Sequence, residues 1–188
     1  LEGASIGSVQ SLDFTNPTNP QFLFFNQAVT EILNHFGDSF WLTAAPEIYY
    51  VQAAKGVYGG GAVGAYLPFL YHFRDRIDVL HVQLYNASAE WTEYGTLAQN
   101  SADFMVYMCD LLIKGFTVGN GTGKTFPGFA PSKIAIGKPS GAGAASSGIS
   151  SLVDIAAALK YLITGESFGG AYPLENEHGY ADFRGIMT

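Results

Sequence analysis

Residues 79–86 read Val79-Leu80-His81-Val82-Gln83-Leu84-Tyr85-Asn86, a stretch that starts like a buried strand and ends in amide and phenol groups. The side-chain period of two along a strand puts Leu80, Val82 and Leu84 on one face and His81, Gln83 and Tyr85 on the other. A solvent-facing antiparallel strand alternates in the same way, but its wet face normally carries Lys, Glu or Thr, and none stands here. Large polar groups that want specific partners take their place, which predicts a functional interior rather than a wet surface.

Working outward, Asn19 and Pro20 open a predicted helix that Gly37 stops, and residues 40–47 (FWLTAAPE) follow as a strand. Phe22, Phe24, Phe25 and Phe36 on that helix are expected in the core. A long loop over 48–64, carrying Tyr58-Gly59-Gly60-Gly61, precedes a short helix over 67–75 that feeds the strand quoted above. Beyond a loop running to Asn100, Ser101 caps a helix that ends at Lys114 and Gly115. Residues 133–137 (KIAIG) read as a strand, Ser150 or Ser151 as the cap of another helix, and residues 183–188 (FRGIMT) as the last strand.

Helix and strand thus alternate through four strands, the pattern of right-handed βαβ units and a parallel sheet. A doubly wound sheet and a (β/α)8 barrel both satisfy it. The longer, chemically varied loops follow Glu47, Asn86 and Gly137, which fits an active face at the C-terminal ends of barrel strands. A complete barrel takes about 250 residues, so the 188 residues and four strands here amount to part of one.

With 48% hydrophobic residues, the chain can fill a substantial core. Nine Lys plus Arg against sixteen Asp plus Glu give a net charge of −7 without a basic cluster, so neither nucleic acid nor an anionic membrane is an expected partner. Cys109 stands alone in an apolar run and reads as a small core residue, and four scattered histidines lack metal-ligand spacing. No metal and no cofactor are expected. The chain opens Leu1-Glu2-Gly3 without an initiator Met, so processing, cloning or excision is expected to have created that end.

Two tempting motifs fail. Residues 119–125 (GNGTGKT) have Val118 where a phosphate loop needs Gly, and the prolines at 127 and 131 forbid the helix that should follow. The segment reads as a flexible surface loop. Residues 141–145 (GAGAA) lack the GxGxxG spacing of a dinucleotide site. The glycosylation sequons at Asn86 and Asn120 are weak signals, because an Asn86 that closes a polar pocket cannot carry a glycan.

Glu47, Gln83, Tyr85 and Asn86 collect at strand ends, and Glu2 stands just before Gly3. In order, Leu1-Glu2-Gly3, LTAAPE at 42–47, VLHVQLYN at 79–86, APSKIAIGKPS at 130–140 and RGIMT at 184–188 resemble the second half of a glycoside hydrolase family 18 chitinase of bacterial type. The resemblance implies an α/β fold that is a partial (β/α)8 TIM barrel, from the end of strand 4 to strand 8, with residues 1–188 a single fragment of the catalytic domain. Glu2 matches the last position of that family's DxxDxDxE signature, the proton donor, whose aspartates would precede Leu1 and are not in this sequence. The Trp that floors the family's sugar site would follow Thr188.

Carried over residue by residue, the resemblance implies that Gln83, Tyr85 and Asn86 line the subsite of the N-acetylglucosamine to be cleaved. Glu2 serves as general acid, and Tyr85 donates to the acetamido oxygen that attacks the anomeric carbon in place of a second carboxylate. Glu47 is either a sugar-binding or tuning group or an ion-paired loop carboxylate. Trp91, Tyr94, Tyr49, Tyr50 and Tyr58 either stack on sugar rings or plug the rim of the core. The implied partners are chitin and N-acetylglucosamine oligomers, the implied action is endo, and the implied location is extracellular. The rivals are a non-catalytic, lectin-like chitin binder and an unrelated barrel enzyme. The isolated chain is expected to be inactive and poorly soluble, because a half-barrel exposes strand edges.

Overall fold

The helix caps read from the sequence are the ones that form. In the computed structural model, which describes residues 6–119 and 121–187, helix α1 runs Pro20–Phe36. The Asn19 side chain accepts from the Gln21 N–H, and Gly37 follows the last turn at φ 61°. Helix α1 buries Phe22, Val29 and Leu33 as a stripe. Phe24 sits two residues from Phe22, about 200° around the helix, and is 74% exposed, as Phe36 is largely exposed. The expectation that both belong to the core is thereby corrected, whereas Phe22 is buried and Phe25 packs partly against the core.

Strand β1 (Leu42–Ala44), helix α2 (Leu67–His72) and strand β2 (Ile77–Leu80) follow in order. β1 and β2 pair in parallel, with Leu42 opposite Ile77 and Ala44 opposite Leu80. Next comes a hairpin of β3 (Glu90–Thr92) and β4 (Gly95–Leu97), then helix α3 (Ala102–Lys114), capped by the Ser101 hydroxyl. A second hairpin joins β5 (Gly115–Thr117) to β6 (Thr125–Pro127). Strand β7 (Ala135–Gly137), helix α4 (Leu152–Thr164), capped by Ser151, and strand β8 (Gly185–Met187) complete the order.

β7 and β8 are parallel, and parallel bridges from Leu80 to Ile134 and from Gln83 to Gly137 join them to β2. The spatial order is therefore β1, β2, β7, β8, each strand beside the next with a helix between, as the alternation predicts. The described residues form an α/β array and no closed barrel. Gly137 is required where β2 and β7 meet, because a Cβ there would lie 2.4 Å from the Val82 carbonyl oxygen.

Two expectations need correction. Residues 87–100 and 115–127 each contain a hairpin where the sequence reads as loop. The phosphate-loop mimic is the connection of the second hairpin, closed by the Val118 N–H to the Lys124 carbonyl. Phe116 and Phe126 anchor this hairpin in the core, their rings 5.4 Å apart. Elsewhere the strands are shorter than read, and residues 131–133 form a 3-10 turn.

Helix α3 is apolar nearly all round and packs against α4 and β7. Cys109 is buried in it as expected, and burial pushes its thiol pKa up. Next to it in the chain, Asp110 is fully buried and accepts 2.6 Å hydrogen bonds from the hydroxyls of Tyr172 and Tyr180. Asp103 accepts from the backbone N–H groups of Ala171 and Tyr172, so one helix fastens the mostly irregular segment 166–184. On the outside, Leu23 and Phe24 of α1 and Leu152 and Val153 of α4 present apolar surface to solvent.

Candidate active site

β2 stops at Leu80, yet the chain remains in register for several residues. The N–H of His81 donates to Ala44, that of Gln83 to Pro46 and that of Leu84 to Gly137. Residues 81–84 therefore lie between the extensions of β1 and β7, where the ladder thins to single bridges. Leu80, Val82 and Leu84 are buried on one face; on the other, Gln83 is only 6% exposed and His81 is half-buried. The alternation thus belongs to an interior position, as the polar residue types predict. Burial also pushes the His81 imidazole below its ordinary value of 6.5, which keeps it neutral at pH 7.

The Gln83 side chain donates to the Ala45 carbonyl at 2.9 Å, tying the ends of β1 and β2 together. Glu47, whose backbone bridges Gln83, is exposed and leads into a 3-10 turn. Glu47, Tyr85 and Asn86 line one cavity of about 310 Å³ with Tyr49, Glu90 and Met108. The structure therefore brings together three of the five candidates read from the sequence. Gln83 stands beside them as a brace, and Glu2 lies outside the described residues.

Asn86 has φ 51°, a left-handed conformation that asparagine tolerates better than most residues. Its carboxamide oxygen accepts from the backbone N–H groups of Ser146 and Ser147 at 2.8 and 3.1 Å. Both lone pairs are taken, so the oxygen fixes the loop after β7.

A residue that sequence reasoning missed completes the arrangement. Lys138, directly after β7, is 1% exposed. Its ammonium donates to three carbonyl oxygens, those of Leu84 at 2.7 Å, Gln99 at 2.9 Å and Gly148 at 3.0 Å. The end of β2, the entry to α3 and the loop after β7 are thereby pinned around Tyr85. Burial lowers the Lys138 pKa to about 8, which leaves it a cation at neutral pH. The one available signal in the sequence is a lysine following the apolar run IAIG.

Gly148 packs against the same point at φ 81°, and a Cβ there would lie 2.7 Å from the Cα of Tyr85. Gly148→Ala is therefore expected to cost about 1–3 kcal/mol through backbone strain and to move Tyr85. Urea denaturation together with near-ultraviolet dichroism checks this, and unchanged values for both would contradict it.

Among the remaining aromatic candidates, Tyr58 is fully buried and belongs to the core, whereas Tyr49, Trp91 and Tyr94 are exposed. Among the described residues no group of three His, Cys, Asp or Glu side chains is placed to hold a metal ion, and no helix is long and apolar enough to cross a membrane.

No family model matches the chain. Individual relatives do. Chitinase Chi52 of Paenibacillus xylanexedens is 44% identical over all of this chain, and chitinase D of Niallia circulans is 42% identical over all of it. The chain spans 36% of the length of each of these relatives. A solved family GH18 chitinase from Chromobacterium violaceum superposes with a TM-score of 0.84 at 36% identity, over 95% of this chain and 47% of that one. Similarity to the chitinases along the whole chain and a shared fold with the solved enzyme agree: the chain matches one part of larger chitinases and has the fold of the corresponding part of a family GH18 enzyme.

Proposed function

We propose that the protein carrying this chain hydrolyses the β-1,4 linkages between N-acetylglucosamine units of chitin, in an endo fashion and outside the cell. The observation that supports this most is the similarity to chitinases along the whole chain, at 42% identity or more, with Tyr85 and Asn86 at a strand end facing one cavity. Nothing in the relatives favours the non-catalytic reading. The isolated chain is proposed to be inactive, since its sheet ends at two edge strands and the outer faces of α1 and α4 carry exposed apolar residues.

In the proposed chemistry Glu2 protonates the leaving glycosidic oxygen as the bond from the anomeric carbon breaks. The carbonyl oxygen of the substrate's own acetamido group attacks that carbon and forms a cationic oxazolinium ring. Tyr85 donates a hydrogen bond to the acetamido oxygen and keeps it in line. The ring is then opened by a water molecule whose proton returns to Glu2. Gln83 holds the strand ends, Asn86 offers its amino group to sugar oxygens, and Glu47 borders the cavity as a second carboxylate.

Two measurements test the reading. Chitohexaose cleaved by the intact protein should first release the β-anomer, because two displacements restore configuration; the α-anomer would refute the mechanism, and no cleavage would refute the activity. Tyr85→Phe should reduce kcat by about 10²-fold, the order seen when one transition-state donor is lost, with KM nearly unchanged.

A further inference from the structure

We infer that Lys138 is a positioning residue for the reaction: its buried ammonium fixes the peptide planes on both sides of Tyr85 and so aims the phenol at the acetamido oxygen. This rests on the reading of Tyr85 as donor to that oxygen. Lys138 itself, 1% exposed, acts through Tyr85 rather than on the sugar.

The direction of a side chain is set by the two peptide planes that meet at its Cα, because each plane is stiff and only φ and ψ join them. Leu84 and Tyr85 share the first plane, and its oxygen accepts the 2.7 Å bond from the Lys138 ammonium. Tyr85 and Asn86 share the second, whose N–H donates to the Ser147 carbonyl at 3.2 Å. The loop carrying Ser147 is in turn held by Lys138 through the Gly148 carbonyl at 3.0 Å, and by the Asn86 carboxamide oxygen. Between the two planes Gly148 packs so closely on the Tyr85 Cα that a Cβ would not fit. The same Cβ would lie 2.8 Å from Cδ of Gln99, whose carbonyl takes the ammonium's third bond.

Lys138 can serve as a fixed point because its own backbone lies in the sheet. Its N–H donates to the Met187 carbonyl at 3.0 Å, continuing the pairing of β7 with β8. The residue type also suits the place. Carbonyl oxygens from three separate segments converge on it, and an ammonium carries three donors on one atom. Among the described residues no carboxylate pairs with it, and the Phe104 ring lies 5.9 Å away. Burying a cation without a counter-charge is costly, and packing alone would be served by an apolar side chain. The charge is retained where it holds three carbonyls, one of them in the peptide of Tyr85.

A double-mutant cycle in the intact protein separates aiming from general support. Kinetics on chitohexaose are compared for the native protein, Lys138→Met, Tyr85→Phe and the double variant, each at a temperature where near-ultraviolet dichroism shows it folded. Lys138→Met should lower kcat about 10–10²-fold, the scale that follows a misplacement of about 1 Å, with KM nearly unchanged. In the Tyr85→Phe background the same change should have little further effect, since no hydroxyl is left to aim. Gly148→Ala, which presses on the Tyr85 Cα from the loop, should behave likewise and decides the matter if Lys138→Met does not fold. An equal loss of kcat in both backgrounds, or an unchanged kcat in the folded single variants, overturns the positioning role and leaves the chitinase reading intact. If the native protein cleaves chitohexaose but Tyr85→Phe costs nothing, the donor reading fails and this inference with it. If the native protein does not cleave, both fail with the activity.

Discussion

Lys138→Met is expected to lower the stability of the folded protein by about 2–4 kcal/mol, since each buried carbonyl left without a donor costs about 1–3 kcal/mol and removal of the buried charge offsets part of the total. Methionine fills similar space and needs no solvation, which is why apolar replacement of a buried charge is often harmless when the partner is replaced as well. Here the partners are the backbone oxygens of Leu84, Gln99 and Gly148, which no side-chain substitution removes. Stability from urea denaturation checks the figure, and a loss below about 0.5 kcal/mol, the range of ordinary surface changes, would show that the pin is dispensable.

The same lysine fixes the sign of a pH effect. Its pKa falls from 10.5 to about 8 on burial, so the folded state gives up the proton first. Between those values the unfolded state binds more protons, and stability rises with pH. The native protein should therefore gain stability relative to Lys138→Met as pH climbs from 8 toward 10.5. The raised phenol pKa values of Tyr172 and Tyr180, due first to burial and then to Asp110, act oppositely at alkaline pH but are common to both proteins and cancel. A gap that narrows over this window would contradict the assignment.

Glu2→Gln in the intact protein is expected to reduce kcat by about 10²–10⁴-fold, the usual contribution of a positioned general acid, with little change in KM. Glutamine keeps the shape and hydrogen-bonding reach of glutamate but has no proton of suitable acidity to give the leaving oxygen. A substrate whose leaving group needs no proton, such as a nitrophenyl glycoside, should lose far less. That contrast separates loss of an acid from general damage, and an equal loss on both substrates would remove Glu2 from the role.

Much of the fold was legible because its signals are local. Asn19, Ser101 and, of the two serines read as candidates, Ser151 cap helices through their own side chains, and Gly37 and Gly115 end two of them, all within a few residues of sequence. The alternation of residues 79–86 identified an interior strand end because its polar face lacked the residues that water tolerates. The two hairpins escaped notice because strands of three residues are too short to establish a period. Phe24 was misplaced because hydrophobicity alone does not say which side of a helix faces inward. Lys138 was invisible for a different reason: its acceptors lie 54, 39 and 10 positions away, and only the packed fold assembles them.

The Asp110 hook bears on the order of folding. Its bonds to Tyr172 and Tyr180 span 62 and 70 positions, with α4 and the whole of β7 between. The entropy of closing so long a loop must be met before the two phenols reach the carboxylate, and contacts of such separation slow folding. Docking of α4 on α3 would shorten the effective loop and is therefore expected to precede the hook. The segment 166–184 would then settle last when the chain folds and, having little regular structure of its own, be among the first parts to exchange amide hydrogens when the native state opens locally.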